Sequence, residues 1–513
     1  MKFLPGFAWL ALVAAALGGQ RINQEGRILG PLPVVTQPIL FDTAAADSVV
    51  SAMQIMPVTS PWNENVSRLP LLANSDAMIA QITSDLASSR GTLRAFFEMN
   101  YVLVPDNQPL QSINFFNYPD QSDLNGDVSP NGLYPIPSNL PIETWPLETG
   151  TLTLSQWQQD INDTGGDRHA IMVTPGAGYS YETWETLLSN NAWQASNGAI
   201  FNLNSNTLRP EGWTSGDAAG LPMFPAIVRY DECERGMVEH ALRLAVYRTR
   251  VGPIYPATHQ ASVGNTTNPN IPAMGQRIRL KASFVIPSTW TKEETAVCLA
   301  LKKYGGLVAD NGGFFSFSVC PDDRFPANAF NDISSIAISN FEVVQSTGPT
   351  DGPRSPGAPS ASAGGDQYVT YGSVATLQGV VSSTGSPVVQ WQMASGPGTV
   401  TFGSPTQPVT TATFSLPGDY LLELSADDGV HAVAYDAATI HVRLSASGFF
   451  SGNNYLVQFP SLSGHVYRVE WSTDLASWAT LADNLSGTGN VIQTTDTNAL
   501  SQPCRFYHVL VLQ

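Results

Sequence analysis

Residues 362–442 decide the fold of this chain. They open with Ser362-Ala-Gly-Gly-Asp366-Gln367 and pass through an apolar alternation to Trp391-Gln-Met-Ala-Ser395-Gly-Pro-Gly398-Thr-Val-Thr-Phe402. Phe414-Ser-Leu-Pro-Gly418-Asp-Tyr420-Leu-Leu-Glu-Leu424 and Ala426-Asp-Asp-Gly429 follow. Apolar residues recur at every second position, and the runs are punctuated by Gly, Pro and Asp. That pattern predicts short strands, each with one buried face, joined by turns.

These blocks, in this order, resemble the PKD domain, an Ig-like β-sandwich module of secreted bacterial and cell-surface proteins. The resemblance covers about 80 residues. It implies an exported, multidomain, β-rich protein and assigns no activity.

Working outward, residues 444–513 carry Tyr455-Leu-Val-Gln-Phe459, Tyr467-Arg-Val-Glu-Trp471-Ser-Thr-Asp-Leu475-Ala-Ser-Trp478 and Arg505-Phe-Tyr507. They are similar to a small β-sandwich module at the C-termini of exported proteins of environmental bacteria. That resemblance implies an accessory or surface-display role. Upstream, 346–361 is rich in Pro, Gly and Ser and has no apolar period, which predicts an extended, mobile linker. The N-terminal region, 20–345, reads as one large strand-dominated domain, sandwich- or jelly-roll-like, with a few helices. Met1–Gly19 reads as a secretory signal, with Lys2 before an apolar run and small residues at Ala16-Leu-Gly18. The apolar run is shorter than a membrane span requires. The expected organisation is therefore 1–19 signal, 20–345 large domain, 346–361 linker, 362–443 Ig-like domain and 444–513 C-terminal module, all mainly β.

The 513 residues are too many for a single core. Lys and Arg number 24 against 42 Asp and Glu, for a net charge of −18. An acidic chain without a basic cluster repels phosphate backbones, which argues against a nucleic-acid partner. Only 13% of residues are charged, so Ser, Thr, Asn, Gln and Gly must form much of the surface. Such a surface suits neutral glycans, and an extracellular polysaccharide or cell-surface glycan is the expected partner. Of four cysteines, Cys233, Cys298, Cys320 and Cys504, the pair Cys298–Cys320 flanks one helix–strand connection and is the best candidate disulfide.

Within 20–345, residues 74–87 and 292–304 predict helices, the second opened by a Thr291–Glu294 capping box and stopped by Gly305. Strands are predicted at 169–174, 238–248, 277–284, 307–310 and 314–319. In the third, charged residues alternate strictly with apolar ones, which predicts a half-buried strand with Arg277, Arg279 and Lys281 on one face. Blocks such as Gly166-Asp-Arg-His169, Gly212-Trp-Thr-Ser-Gly-Asp217, His240-Ala-Leu-Arg243 and Pro256-Ala-Thr-His259 are similar to a group of large secreted bacterial domains without an assigned activity.

Side-chain chemistry supplies the candidates for function. Asp167 and His169 open a strand, where a carboxylate can orient an imidazole for acid–base work. Glu182, Asp217 and Asp310 are further candidate catalytic acids, since glycoside cleavage needs two carboxyls across a cleft. They belong to a set that includes Glu143, Asp231, Glu232, Glu234 and Glu239. Arg168, Tyr181, Trp213 and His259 are candidate substrate contacts. His169, His240 and His259 are candidate ligands for a divalent metal, although their spacing matches no local zinc motif. Asp123-Leu-Asn125-Gly-Asp127 has the first oxygens of a calcium loop but Val128 and Tyr134 where Gly and Glu belong. No Gly-x-Ser-x-Gly, His-Glu-x-x-His, phosphate loop or dinucleotide fingerprint is present, which disfavours serine hydrolase, zincin and nucleotide chemistry.

Overall fold

The computed structural model describes residues 20–147, 149–159 and 166–512. The expected signal segment, 1–19, lies outside the described residues. The chain is mainly β with few helices and several sheets. It divides into two compact units, Arg21–Pro356 with Val430–Ala432, and Gly357–Gly429 with Val433–Gln513.

Among the described residues, the N-terminal unit contains three sheets. One has the order Ile39–Leu40, Val102–Leu103, Ala170–Thr174, Tyr179–Trp184, Asn197–Asn202. A six-stranded sheet runs Phe341–Val343, Arg277–Leu280, Gly306–Asn311, Leu242–Val246, Phe315–Val319, Leu93–Phe97. A third runs Asn131–Tyr134, Gln111–Phe115, Ala192–Ala195, Leu187–Ser189. All three mix parallel and antiparallel pairs; Leu242–Val246, for example, is parallel to Gly306–Asn311 and antiparallel to Phe315–Val319. Ala170–Thr174, Leu242–Val246 and Phe315–Val319 are buried at every position, as strands covered on both faces must be.

Both expected helices form. Ser75–Asp85 buries Met78, Ile79 and Ile82. Lys292–Lys303 has the reciprocal Thr291–Glu294 cap, which satisfies two otherwise orphaned amides. It turns Ala296, Val297, Cys298, Ala300 and Leu301 into the core shared with Ile278 and Leu280.

Three expectations are corrected here. Cys298 and Cys320 are separate thiols, each packed as a small apolar side chain in the same core cluster as Cys233. Burial pushes the Cys298 thiol up to about 12. The strand Arg277–Leu280 is buried on both faces rather than half-buried. Arg277 is buried and donates to the Tyr304 carbonyl at 2.8 Å, and Arg279 pairs with Glu342 at 2.7 Å. Finally, 346–356 is no free linker but belongs to this unit. Arg354 and Glu64 form a buried ion pair at 3.0 Å, and Thr347 Oγ1 donates to the same carboxylate at 2.8 Å.

In the second unit, two cores follow one another. Residues 360–443 form an Ig-like sandwich. Gln367–Thr370, Ala434–Arg443, Gly418–Asp427 and Val388–Ser395 make one sheet, and Ala375–Gln378, Val409–Phe414 and Val400–Phe402 face it. Trp391, Tyr420, Leu422, Leu424 and Ile440 fill the space between. Gly396 and Gly398 are required there, because a Cβ at either would strike Tyr420, at 2.3 and 2.9 Å. Residues 447–511 make two three-stranded sheets closed over Val457, Phe459, Tyr467 and Val469. Among the described residues, no helix is long and apolar enough to cross a membrane.

Candidate functional site

The six-stranded sheet places Arg243, the second residue of Leu242–Val246, between two partner strands. Loop 214–220 runs alongside, held by Ala219 N–H donating to the Ala309 carbonyl at 2.9 Å. Its sharp exit needs Gly220, whose φ is +72° and where a Cβ would meet the Trp213 carbonyl at 2.5 Å. The loop thereby delivers Asp217, fully buried, to Arg243 Nε at 2.7 Å. From Gly306–Asn311, Asp310 accepts from Arg243 Nη2 at 2.6 Å. From Phe315–Val319, Ser318 accepts from Nη1 at 3.2 Å and donates to Glu98 at 2.6 Å. Glu98 itself lies 3.7 Å from Nη1.

His169 joins this cluster from the other sheet. Its Nδ1 faces Glu143 Oε2 at 3.0 Å and its Nε2 faces the Gly216 carbonyl at 2.8 Å. Burial opposes the imidazolium, but the Glu143 carboxylate more than reverses this and raises His169 to about 10. Both ring nitrogens therefore donate. Glu143 is correspondingly lowered: burial works against its charge, and His169 overcomes it. Asp217 is pushed up to about 7 by burial, against the pull of Arg243. Burial also raises Glu98 and Asp310, with Arg243 again opposing.

Five of the predicted residues converge here. His169, Asp217 and Asp310 take part directly. Asp167 is exposed at the rim, and its charge reaches His169 and Asp310. His259 holds the same loop through Nδ1 and the Ala218 carbonyl at 2.7 Å. Of the carboxyls around Arg243, Glu98 and Asp310 are partly exposed, with side-chain exposures of 24% and 20%, whereas Asp217 is fully buried.

The other candidates lie elsewhere. Glu182 is fully buried and accepts from Ser180 Oγ and the Met223 and Phe224 amides, so it fixes a turn of the scaffold. Tyr181 packs edge-on against Tyr134. Arg168 is buried, donating to the Thr186 and Trp157 carbonyls. Trp213 lies under the Arg209 guanidinium. His240 faces Glu232 at 3.2 Å and the Ala241 carbonyl at 2.8 Å. Among the described residues no group of three or more His, Cys, Asp or Glu, these histidines included, is placed to hold a metal. Asp123 spends its carboxylate on Arg209 and the Ile200 amide, as a turn rather than a calcium loop.

Arg243 and Glu98 carry no signal of function in the sequence. Arg243 reads there as one polar residue in an apolar strand, and Glu98 follows Phe97 without a motif. The one hint is that an arginine inside a buried strand demands acidic partners.

No family model and no curated protein matches the chain. Among solved structures, the chain is similar to the PKD domain from KIAA 1837 protein, with 23% identity over 18% of this chain and 92% of that one, at a TM-score of 0.14. The titin M10–obscurin-like 1 Ig complex matches with 24% identity over 17% and 94%, at 0.14. Sidekick-1 immunoglobulin domains 1–4 match with 12% identity over 64% and 92%, at 0.15. The Ig-like character of 360–443 rests on its own strand order and core, with Gln367–Thr370 pairing in parallel with Ala434–Arg443.

Proposed function

We propose that this chain is an exported, modular surface protein. Its N-terminal unit recognises an extracellular glycan without cleaving it, and the PKD-like and C-terminal sandwiches act as display modules. The observation that carries this reading is that the Arg243 guanidinium and the His169 ring are both engaged by protein partners. Arg243 is shared by Asp217, Asp310 and Ser318, and both nitrogens of His169 are engaged by Glu143 and the Gly216 carbonyl. A general base needs a free lone pair within reach of substrate, and an imidazolium held at both ends has none. The charge-poor composition supports a neutral, hydroxyl-rich partner.

A hydrolase is the second reading, favoured by Glu98 and Asp310. Both are partly exposed, both are raised by burial, and both flank one arginine. Two carboxyls so placed are the minimum for glycoside cleavage. The two readings separate in one experiment. The full chain is incubated with a panel of insoluble polysaccharides, and both retention and new reducing ends are measured. Retention without reducing ends is expected. Reducing ends that vanish in Glu98→Gln or Asp310→Asn would overturn the recognition reading in favour of the hydrolase.

A further inference from the structure

The C-terminal sandwich ends on an edge strand, Phe506–Val511, whose one sheet neighbour among the described residues is Val466–Ser472. Leu512 N–H donates to the Val466 carbonyl at 2.8 Å, which sets the phase of this antiparallel ladder. Phe506, His508 and Leu510 therefore bond to Val466–Ser472, and Tyr507, Val509 and Val511 turn their N–H and C=O groups the other way. The side chains beside this free edge are accessible: Phe506, Leu510 and Leu512 are 39%, 37% and 40% exposed.

Other edges of the molecule are closed. Asn197–Asn202 in the N-terminal unit is covered by a loop: Asp123 N–H donates to the Gly198 carbonyl, and the Asp123 carboxylate accepts from the Ile200 amide, each at 2.9 Å. Ala479–Ser486, at the opposite edge of the C-terminal sheet, shifts register twice against Val466–Ser472 and carries Asp483, bound to Arg468 at 2.8 Å. Bulges and charges are the usual devices that keep an edge from pairing. Phe506–Val511 has neither. Its register is unbroken, and 506–513 contains no Asp, Glu, Lys, Arg or Pro. The core beneath is also thin. Tyr507, Val509 and Val511 pack against Val457, Phe459, Tyr467 and Val469 but stay partly exposed.

We propose that Phe506–Val511 pairs antiparallel with the same strand of a second copy of this chain, about a two-fold axis at Val509. The outward groups of Tyr507, Val509 and Val511 then form about six inter-chain hydrogen bonds. In that register Tyr507 faces Val511 and Val509 faces its own copy on the inner side. On the outer side Phe506 faces Leu512, and His508 faces Leu510. Each aromatic ring meets an aliphatic side chain, the pairing that sheets favour, so the strand is complementary to itself. A chain of net charge −18 repels its copy at most surfaces, and this uncharged edge is where two copies meet without opposing like charges. The two three-stranded sheets become one six-stranded sheet across the axis. This inference is independent of the glycan reading.

The test is sedimentation velocity of the full chain over about a hundredfold concentration range centred on the micromolar, as suits a small interface. A reductant excludes a bridge through the exposed Cys504. A monomer–dimer equilibrium is expected. Leu510→Lys places a charge on the exposed side of the edge and is expected to weaken the dimer about tenfold or more with an unchanged melting temperature. Val509→Pro removes an outward N–H at the axis, which an edge strand tolerates, and is expected to abolish the dimer. Val491→Lys, on an exposed residue of the other sheet, is the control and is expected to leave it intact. A monomer at every concentration would overturn the proposal and leave the edge to a foreign strand. So would a dimer indifferent to both Leu510→Lys and Val509→Pro, or one weakened equally by Val491→Lys.

Discussion

The N-terminal unit buries charge, whereas the Ig-like sandwich buries rings and aliphatic side chains. Arg229, Arg243, Arg277, His169, Asp217, Glu182 and Glu232 are all nearly inaccessible in the first. In the second, Trp391, Tyr420, Leu422, Leu424 and Ile440 make the core, with Glu423 the one fully buried charged residue among those described. The difference is one of specification. A sandwich core is fixed by alternation along each strand, a local property. A buried arginine is fixed only when several distant segments bring it their acceptors, and removing one partner exposes the others to an uncompensated charge.

The strongest way to break this comparison is Arg243→Met. Glu98, Asp217 and Asp310 would then share a poorly solvated site without their cation. A loss of about 3–5 kcal/mol is expected for the N-terminal unit, read by urea unfolding, with the sandwiches unaffected. Adding Asp217→Leu is expected to recover part of it, because the fully buried carboxylate is the costliest one left behind. A single-variant loss below about 1 kcal/mol would show that the cluster behaves as a screened surface network.

The same contrast explains what the sequence disclosed. The 362–442 alternation and the Thr291–Glu294 cap are local, and both were legible. So was the opening of a strand by Asp167 and His169. The partners of His169 and Asp217 were not, because Glu143 and Arg243 are 26 residues away from them in each case and the cluster is assembled by sheet order. Parallel pairing also leaves no mark on strands of two to six residues. The 346–356 segment misled because Pro and Gly usually mark free chain, yet here Arg354 supplies the cation that Glu64 needs.

Proton linkage sharpens the comparison next. The folded pKa of His169 is raised to about 10 from an ordinary 6.5. Its contribution is therefore fully present below pH 6.5 and lost as pH rises toward 10. Glu143 is lowered from 4.5, so its contribution is present above that value and lost in acid. The pair contributes most between about pH 4.5 and 6.5. Stability of the N-terminal unit is expected to fall by on the order of 2–4 kcal/mol between pH 6.5 and 10. His169→Gln should flatten that slope, while the Ig-like module shows none of it. An identical slope in the variant would remove His169 from the account.

A smaller effect concerns the boundary. A fragment ending at 345 lacks Thr347 and Arg354 and leaves Glu64 buried without either partner. It is expected to be about 2–3 kcal/mol less stable than one ending at 356, by denaturant midpoint at equal slope. Equal midpoints would return 346–356 to the status of a free linker.

The smallest expected effect tests the sandwich side. Tyr420 is fully buried in the Ig-like core. Its hydroxyl donates to the Leu416 carbonyl at 2.8 Å and accepts from the Leu416 amide at 3.3 Å. This ties the turn before Gly418–Asp427 to the strand that follows, as in the tyrosine corner of Greek-key sandwiches. Tyr420→Phe keeps the ring against Phe414 and the two glycines, so packing is preserved and only the hydroxyl is lost. The Leu416 amide and carbonyl lie at a turn that water can reach, so their loss is cushioned. A destabilisation of about 1 kcal/mol is expected, against 3–5 kcal/mol for Arg243→Met. If Tyr420→Phe instead costs as much as the arginine variant, the sandwich too depends on a long-range polar device, and the contrast between a locally specified module and a charge-specified domain fails.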